Sequence, residues 1–500
     1  MKAIQISPKD NVMVALTDLK QGETVACEKG DVTLTQDIAR GHKIALKDLH
    51  VNEDVIKYGW PIGTVKTEIK EGQTLNENNI ATKLKGTLAY SYDKMSVLVP
   101  DCIKKTDRDI TFKGYKRADG SVATRNEVWV IPTVFCINHV ASRLGQIGEN
   151  LVKNYKNVDA CVAFPHHFGC SQMGKDHLTT QRVLAGLINN PNAAAVLVVG
   201  LGCENNNIEE FKQVLGPYDE NRVKFMNCQD VPGDEVEAGE EILKDLLTYA
   251  DNFHREDCPI SSLRLGLKCG SSDGMSGITA NPLIGTITDR VVSAGGCAVM
   301  TEVPEMFGAE RILMNRAESE KCFNEIVKLV NDFKEYYLSH GEIVSDNPSP
   351  GNKKGGISTL EEKSLGCIQK GGTVEVNGVL DYAEHINKQG LLLLQSPGND
   401  GISTTALAVS GCNLILYSTG RGTPFGTAVP AIKVSSNTNL YEKKPNWIDF
   451  NAGVLVSGKR RQEVSDALLE KIIKVASGEK TCDEIHGFKE INIWKDGVSL

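Results

Sequence analysis

The 500-residue sequence lacks the segments that direct a chain to a membrane or to nucleic acid. Its first ten residues hold no long apolar core of a signal peptide, and no later window holds eighteen uninterrupted apolar residues. We therefore expect a cytoplasmic protein with no membrane partner. The formal net charge is −9 and no block of Lys and Arg stands out, which argues against a nucleic-acid partner.

Several motifs of metal and nucleotide chemistry are also missing. The fourteen cysteines include no Cys-x-x-Cys pair, which argues against a zinc ribbon or a ferredoxin-type cluster, and we expect reduced thiols in the cytosol. No P-loop and no His-Glu-x-x-His sequence occurs. Gly200 and Gly202 follow a predicted strand, but a third glycine is missing and Glu204 would repel a pyrophosphate. We predict no dinucleotide.

What the sequence does contain is typical of a multidomain globular protein. Hydrophobic residues make up 41% and charged residues 24%, and the length favours two to four domains. Short alternating apolar and polar runs before residue 83 indicate a small β-rich domain. We predict this N-terminal domain over 1–83, a linker over 84–112, a middle α/β domain over 113–255 and a C-terminal domain over 256–500.

Strand and helix patterns alternate through the middle and C-terminal units. The buried-strand candidates are 128–132, 159–164, 195–199, 223–227, 391–394 and 414–417, and helical patterns cover 178–189, 206–215, 234–250 and 319–338. Strands that alternate with helices predict layered α/β domains with parallel sheets. In such sheets, ligand-binding loops follow the carboxyl ends of the strands.

One stretch, residues 265–285, has the strongest character of such a loop. An apolar strand ends at Cys269, glycines at 270, 274 and 277 punctuate a Ser- and Asp-rich loop, and Asn281-Pro282 precedes a helix. Glycine allows sharp turns and close approach of the backbone to a ligand. Three similar loops lie at 164–174, 200–206 and 395–400, so we predict that the four form the rim of one site.

The side chains in these loops suggest a metal. Imidazole, carboxylate and thiolate groups together suit Fe²⁺, Mn²⁺ or Zn²⁺ better than Mg²⁺. The candidates are His166, His167, Cys170, Cys203, Glu204, Cys269, Asp273, Glu302, Glu305 and Cys367. Spacing alone selects none of them as ligands.

The loop motifs carry a resemblance to a known family. They are Ala39-Arg-Gly-His-Lys, Val55-Ile-Lys-Tyr-Gly, Arg125-Asn-Glu, Gly169-Cys-Ser-Gln, Gly200-Leu-Gly-Cys-Glu-Asn, Cys269-Gly-Ser-Ser-Asp-Gly, Thr301-Glu-Val-Pro-Glu-Met-Phe-Gly, Asn347-Pro-Ser-Pro-Gly-Asn, Ser396-Pro-Gly-Asn-Asp and Ser418-Thr-Gly-Arg-Gly-Thr-Pro. From the first strand to the last residues the chain resembles the altronate/galactarate dehydratase family. One departure is Ser271, where this family commonly has glycine, which predicts a milder demand on the backbone there.

The resemblance implies an architecture and a cofactor. It implies a small N-terminal β-clip (SAF-like) domain, a linker, a middle α/β domain that forms a homodimer, and a C-terminal Rossmann-like parallel sheet without a dinucleotide. It also implies Fe²⁺, with Mn²⁺ as a substitute, and a sugar acid as substrate. We expect removal of water from D-altronate to give 2-dehydro-3-deoxy-D-gluconate.

This reaction requires a base for the C2 proton, a cation that stabilises the enediolate, and an acid for the departing C3 hydroxyl. As hypotheses, the metal ligands are Cys170, Cys203, Glu204, Cys269 and Asp273. The catalytic group is His42, Lys57, His166 and His167, with His42 on a lid formed by the N-terminal domain. The substrate-binding group is Arg125, Ser272, Asn281, Asn399, Arg421 and Thr423.

Three alternatives remain open at this point. Galactarate would undergo the same chemistry as a diacid, although no second cationic anchor is evident in the sequence. A sugar-acid-binding protein could retain the fold without catalysis. An iron–sulfur hydro-lyase could bind a cluster through three loop cysteines.

Overall fold

The computed structural model describes residues 2–27, 30–95 and 105–500. The N-terminal unit consists of short strands. They are β1 (Ala3–Ile4), β2 (Val12–Ala15), β3 (Thr24–Val25), β4 (Val32–Thr33), β5 (Lys43–Ala45), β6 (Asp54–Lys57), β7 (Trp60–Val65), β8 (Thr74–Leu75) and β9 (Ile80–Ala81). They form small antiparallel sheets in the orders β1-β2-β5-β8, β3-β4 and β6-β7-β9. All four side chains of β2 are buried.

The predicted linker is only partly visible, since residues 96–104 lie outside the described residues. Its described first part lies against the C-terminal unit. Tyr90 donates a hydrogen bond to Glu310 at 2.5 Å, and Tyr92 donates one to the carbonyl of Ala317 at 2.8 Å. These two hydrogen bonds hold the first part of the predicted linker against the C-terminal unit, although the composition of the linker is polar.

The middle unit alternates strands and helices as the sequence pattern predicts. In chain order it contains β10 (Thr111–Lys116), β11 (Val122–Ala123), β12 (Glu127–Pro132), α1 (Asn138–Val152), β13 (Ala160–Ala163), α2 (Gly174–Ile188), β14 (Ala193–Gly200), α3 (Ile208–Leu215), β15 (Val223–Asn227), α4 (Glu235–Asp251) and β16 (Glu256–Pro259). The parallel sheet has the order β13-β12-β14-β15. Every residue of β14 is buried, as expected for a central parallel strand covered on both faces.

A second, antiparallel sheet joins the middle and C-terminal units. Its order is β11-β10-β16. Thr111 pairs with Pro259 and Phe112 with Cys258, so β16 follows the predicted boundary at residue 255 yet pairs with the first strand of the middle unit.

The C-terminal unit contains the largest sheet. Its elements are β17 (Arg264–Gly270), α5 (Ala280–Ser293), β18 (Cys297–Met300), α6 (Glu310–Met314), α7 (Glu320–Ser339), α8 (Pro350–Lys354), α9 (Leu360–Cys367), β19 (Val376–Leu380), β20 (Gly390–Leu394), α10 (Asp400–Val409), β21 (Leu414–Thr419), β22 (Ala431–Ser435), α11 (Thr438–Lys443), β23 (Phe450–Asn451), α12 (Arg461–Ala476) and α13 (Cys482–Ile485). The parallel order is β19-β20-β18-β17-β21-β22-β23.

This order places the switch point of the sheet beside β17. The chain runs outward through β18 and its neighbours on one side, and through β21 on the other. Open α/β sheets bind ligands outside the carboxyl ends of the strands at such a point. The loop after Cys269 therefore lies where the fold class predicts a site.

The observed architecture confirms the predicted fold class. It is a mixed α/β chain with a small β-rich N-terminal domain and a seven-stranded parallel sheet in the C-terminal region. Among the residues described, none of the helices has the length and apolarity needed to span a membrane.

Candidate active site

A cluster of ionisable side chains lies buried at the carboxyl end of β17. Cys269 is the penultimate residue of that strand, and Cys367 ends α9. Glu305 lies on a short 3-10 helix, Val303–Met306, that follows β18. The Cys269 sulfur is 3.3 Å from the Cys367 sulfur and 2.9 Å from Glu305 Oε2, and the Cys367 sulfur is 3.1 Å from that same oxygen.

The backbone around the cluster is conformationally unusual. Glu302, Ser271 and Tyr58 have φ angles of 69°, 53° and 60°, in the left-handed region that favours glycine. Such strained residues concentrate at functional sites, where surrounding contacts hold them in place. Ser271 therefore does meet the demanding backbone conformation, and the milder demand expected from its serine is wrong.

Three lysine ammonium groups lie around the acidic cluster. Lys370 donates a hydrogen bond to the Cys269 sulfur at 2.9 Å, and Lys363 lies 2.7 Å from Glu305 Oε1. Lys268 donates to Glu302, and its ammonium lies 2.8 Å from Asp400 Oδ1. A buried charge is tolerated when it is paired and hydrogen-bonded, so these lysines stabilise a negative cluster in the interior.

The same contacts shift the pKa values of the acidic groups. The hydrogen bond from Cys367 and the ammonium groups of Lys370 and Lys268 lower the pKa of Cys269, against the opposing effects of burial and of Glu305. Burial alone would raise the pKa of Glu305, but the charges of Lys363, Lys268 and Lys370 outweigh it and lower that pKa. These contacts therefore favour the ionised forms of the Cys269 thiol and of the Glu305 carboxyl.

The N-terminal domain covers this region through a second buried ion cluster. Lys57 Nζ lies 2.7 Å and Lys43 Nζ 2.8 Å from the carboxylate of Glu362 on α9. The backbones meet closely as well, because a Cβ placed on Gly274 would lie 2.1 Å from the carbonyl oxygen of Gly41. Glycine at 274 is thus required by the docking of the two domains.

A small enclosed cavity separates the covering domain from the cluster. Its volume is about 10 Å³, which is room for about one water molecule. The groups that line it include Lys57, Tyr58, Ser272, Asp273, Asn281, Glu362, Lys363 and Cys367. Residues 270–274 also have Gly-x-Ser-x-Gly spacing, but no histidine is among the described residues that line the cavity, so a serine triad is not formed there.

Three of the predicted loop residues are hydrogen-bonded at this cavity. Asp273 accepts hydrogen bonds from Ser276 at 2.9 Å, from Ser436 at 2.8 Å and from Asn437 at 3.1 Å. Asn281 donates to the carbonyl of Gly366, and the carbonyl of Ser272 accepts from Asn352. Both carboxylate oxygens of Asp273 therefore accept hydrogen bonds that stabilise the loop, and these are the same oxygens that a metal ion would bind.

Four other predicted residues are not among the described residues that line this cavity. His42 adjoins Gly41, which contacts Gly274. Arg421 is exposed and donates to the carbonyl of Gly351 at 3.0 Å. The carbonyl of Thr423 accepts from Lys433, and Asn399 caps α10 by accepting from the backbone N–H of Ile402.

The predicted residues of the middle domain form a separate group at the carboxyl edge of its own sheet. His166 is buried, with Nε2 2.8 Å from the carbonyl of Pro132 and Nδ1 accepting from the backbone N–H of Phe168, while His167 is exposed. Glu204 accepts hydrogen bonds from Thr133 and Gly202. The remaining members, Cys170 and Cys203, lie 3.4 Å from Asn205 Oδ1 and 3.5 Å from Gln229 Nε2. The structure therefore does not bring these side chains into the Cys269 cluster.

Arg125 has a third location. Its guanidinium forms an ion pair with Glu484 at 2.7 Å and donates to the carbonyls of Val475 and Glu479. These contacts join the middle domain to α12 and α13. Arg125 is thus already fully engaged in a contact between domains.

Apart from Lys57, the lysines of the site were not identified in the sequence. Lys268 interrupts the apolar run of β17, and that interruption was the available signal. Lys363, Lys370 and Glu362 had none, because their partners are distant in sequence. Glu302, Glu305 and Cys367 appear among the metal candidates of the sequence but not in the narrower ligand hypothesis.

The cluster fits a metal ion by the chemistry of its donors. Within the described ranges, one group of three metal-type ligand atoms lies within 4.8 Å of one another, and it consists of Cys269, Glu305 and Cys367. Two sulfurs and one carboxylate oxygen suit a borderline divalent cation, and three protein ligands leave a coordination position for a substrate.

A buried ionisable cluster beside a cavity at the switch point of a doubly wound sheet has the features expected of an enzyme active site. Comparison with known proteins identifies the kind of enzyme. Three family models match: the altronate/galactarate dehydratase SAF domain over 1–83, the D-galactarate dehydratase/altronate hydrolase second domain over 114–251, and the D-galactarate/altronate dehydratase C-terminal domain over 260–499.

Curated relatives match over the whole length. An altronate dehydratase of Escherichia coli (strain K12) is 46% identical over 500 residues, 100% of each chain, and one of Bacillus subtilis (strain 168) is 47% identical over 498 residues, 99% of each. A galactarate dehydratase (L-threo-forming) of Escherichia coli (strain K12) is 32% identical over 95% of this chain and 93% of its own. The chain belongs to the altronate/galactarate dehydratase family and is a hydro-lyase with an N-terminal SAF domain.

Proposed function

We propose that the chain removes water from D-altronate and releases 2-dehydro-3-deoxy-D-gluconate. The observation that carries this proposal is the 46–47% identity, end to end, with two altronate dehydratases. The galactarate dehydratase is only 32% identical, which favours the monoacid over the diacid as substrate. Lys57, Ser272 and Asn281 line the small cavity and would offer polar groups to such a substrate once the N-terminal domain has opened.

The metal of this proposal is Fe²⁺, with Mn²⁺ as a substitute, and Cys269, Glu305 and Cys367 would hold it. When bound there, the ion supplies charge stabilisation for the enediolate that follows removal of the C2 proton. The ammonium groups of Lys268, Lys363 and Lys370 lower the pKa of Glu305, and those of Lys370 and Lys268 help to lower the pKa of Cys269, whereas the hydrogen bond to Cys269 and burial raise the pKa of Cys367.

Tyr58 is our candidate for the acid that protonates the departing C3 hydroxyl. Burial raises the pKa of its phenol, so the hydroxyl keeps its proton at neutral pH. The ring lies beside Lys57, whose ammonium is 4.9 Å from the ring centroid, and the hydroxyl lies against Gly277. Lys57 would then bind the substrate carboxylate, and His42 remains a proposed lid residue at the rim.

The first experiment is turnover of the chelated enzyme on D-altronate and on galactarate, with and without Fe²⁺ under reducing conditions. We expect 2-keto acid from D-altronate alone, and only after iron is restored. Product from galactarate alone would overturn the substrate assignment. Failure of both substrates, with retained binding of D-altronate, would overturn catalysis in favour of a binding protein.

The ligand set is tested by a matched pair of cysteine variants. Cys367→Ser should lose stoichiometric iron and about 100-fold or more in kcat, since a ligand of the metal is replaced. Cys412→Ser is the control, because Cys412 is equally buried in the same domain but is not in the cluster. Iron content equal to the parent in Cys367→Ser would contradict the assignment, and a brown protein with inorganic sulfide would indicate an iron–sulfur cluster instead.

The remaining expectations concern the assembly. We propose a homodimer formed through the middle domain and a cytoplasmic location, in line with the small-molecule chemistry of the family. Light scattering on the eluting protein checks the dimer. A monomer at micromolar concentration would contradict it.

A further inference from the structure

A second large cavity lies away from the Cys269 cluster, between the middle and C-terminal domains. Its volume is about 540 Å³. Three arginines line it, Arg117 and Arg222 from the middle domain and Arg264 from the start of β17. Arg264 and Cys269 stand about 17 Å apart along the same strand, so this arginine cavity opens at the edge of the sheet opposite to the candidate active site.

The three guanidinium groups have no acidic partner at ion-pair distance among the described residues. Arg117 donates to the carbonyls of Pro191 and Arg125 and to Asn126, and Arg222 donates to the carbonyls of Ile188 and Ala193. Arg264 donates a backbone hydrogen bond to Asn413, and its side chain has no hydrogen bond or ion pair within the part of the chain that the structure describes. Neutral carbonyls satisfy the geometry of these groups without neutralising their charge.

The positive charges also affect one another across the cavity. Burial and the charge of Arg222 lower the pKa of Arg117 to about 9. Burial would raise the pKa of Asp119, which lines the same cavity, but hydrogen bonds from Ser121 and the charges of Arg222 and Arg264 lower it. Asp219 is a second acidic side chain on the wall. The cavity wall therefore carries three arginines and two carboxylates, and neither carboxylate forms an ion pair with an arginine. The net charge of the wall is positive.

We propose that the arginine cavity binds a small organic dianion, either a phosphate monoester or a dicarboxylate. Guanidinium groups bind the oxygens of both groups through paired, charge-assisted hydrogen bonds. Tyr218 and Tyr249 also line the cavity, and the Tyr249 hydroxyl lies 3.0 Å from Asp219 Oδ2. A ligand with hydroxyl groups could therefore form hydrogen bonds with polar groups of the wall. The bound anion would supply the counter-charge that the described wall lacks.

Titration calorimetry of the full chain, chelated and at low ionic strength, tests this site with inorganic phosphate and with malonate as separate probes. We expect one binding event per chain, weakened about tenfold or more in Arg264→Gln and in Arg222→Gln. Arg264→Gln is the cleaner variant, because Arg222 also bonds two backbone carbonyls. Binding of phosphate alone assigns the ester, and binding of malonate alone assigns the dicarboxylate.

Two controls separate this site from the others. Arg143→Gln alters an exposed arginine of a different cavity, and Cys269→Ser alters the candidate active site, so neither should change the affinity for the probe. Absence of binding of both probes overturns the proposal. So does an affinity that is unchanged in Arg264→Gln, or one that is lost equally in Cys269→Ser.

Discussion

Burial decides the charge of single residues in this protein, and His166 shows the effect in a residue outside the candidate active site. Burial lowers its pKa from 6.5 to about 4, although the hydrogen bond to Pro132 opposes the shift. The imidazole is therefore neutral at physiological pH. Its two nitrogens bind the backbone of the last residue of β12 and of the loop that follows β13, so it stabilises the middle domain.

His166 should make the fold sensitive to acid. Between pH 6.5 and pH 4 the unfolded chain binds a proton that the folded chain does not, so stability falls as the pH falls through that window. The loss from this residue should reach about 2 kcal/mol at pH 5 relative to pH 7. His166→Gln should lower the free energy of unfolding at pH 7 but remove this part of its pH dependence.

Urea unfolding of the parent and of His166→Gln at pH 7 and pH 5 measures the difference. The same variant of His167, which is exposed, serves as the control and should follow the parent. An identical pH dependence in the parent and in His166→Gln would contradict a neutral buried imidazole.

At the scale of secondary-structure elements, α9 connects the C-terminal domain to the N-terminal domain at the candidate active site. All eight of its residues are buried, and it carries Glu362, Lys363 and Cys367 within two turns. Glu362 neutralises both Lys43 and Lys57 of the N-terminal domain. Burial would raise the pKa of Glu362, but the two lysines outweigh it and lower that pKa to about 2. Thr359 caps the helix by accepting a hydrogen bond from the backbone N–H of Glu362.

Glu362→Gln should loosen the N-terminal domain. The substitution leaves two buried ammonium groups without a counter-ion, which should cost about 3–5 kcal/mol in the free energy of domain docking. Limited proteolysis followed by mass spectrometry should then show faster cleavage in residues 84–95. Glu68→Gln, which breaks an exposed contact with His50 in the same domain, should change nothing measurable. Equal cleavage rates in the two variants would contradict the role of Glu362.

α9 also shows where prediction from the sequence ends. The strand of Cys269 and the glycine loop after it follow from local patterns, since an apolar run and a cluster of glycines are readable in place. The sequence Leu360-Glu-Glu-Lys-Ser-Leu-Gly-Cys367 is typical of an exposed helix, yet it is fully buried. Its partners Lys43 and Lys57 lie 319 and 305 residues away from Glu362, and no local pattern reports such a pairing.

The same limit explains why the predicted metal ligands lie in two separate places in the structure. Loops after parallel strands are predictable, but which sheet each loop belongs to is decided by chain topology. The middle domain has its own sheet, so its loop cysteines and Glu204 gather at that edge. Cys269 and Cys367 meet across 98 residues of sequence because β17 and α9 pack at one switch point.

At the scale of the whole molecule, we expect the N-terminal domain to move before a substrate reaches the Cys269 cluster. The cavity of about 10 Å³ holds about one water molecule, whereas a six-carbon acid is many times larger. Opening has to separate Gly41 from Gly274 and to break the contacts of Lys43 and Lys57 with Glu362. Domain motions of this kind gate many enzymes and occur on microsecond to millisecond timescales.

Thiol labelling of the chelated full chain measures this opening. Iodoacetamide should modify the exposed Cys136 and Cys203 at the rate of a free thiol, and Cys367 at least about 100-fold more slowly, because it waits for the domain to open. Glu362→Gln should raise the rate at Cys367 and leave Cys203 unchanged, since only the docking contact is weakened. Peptide mass spectrometry resolves the sites, with the buried Cys412 as a marker of global unfolding.

If Cys367 in the parent reacts as fast as Cys203, the domain is not closed in solution. If Cys367 and Cys412 accelerate together in Glu362→Gln, the variant unfolds the C-terminal domain and does not open a lid.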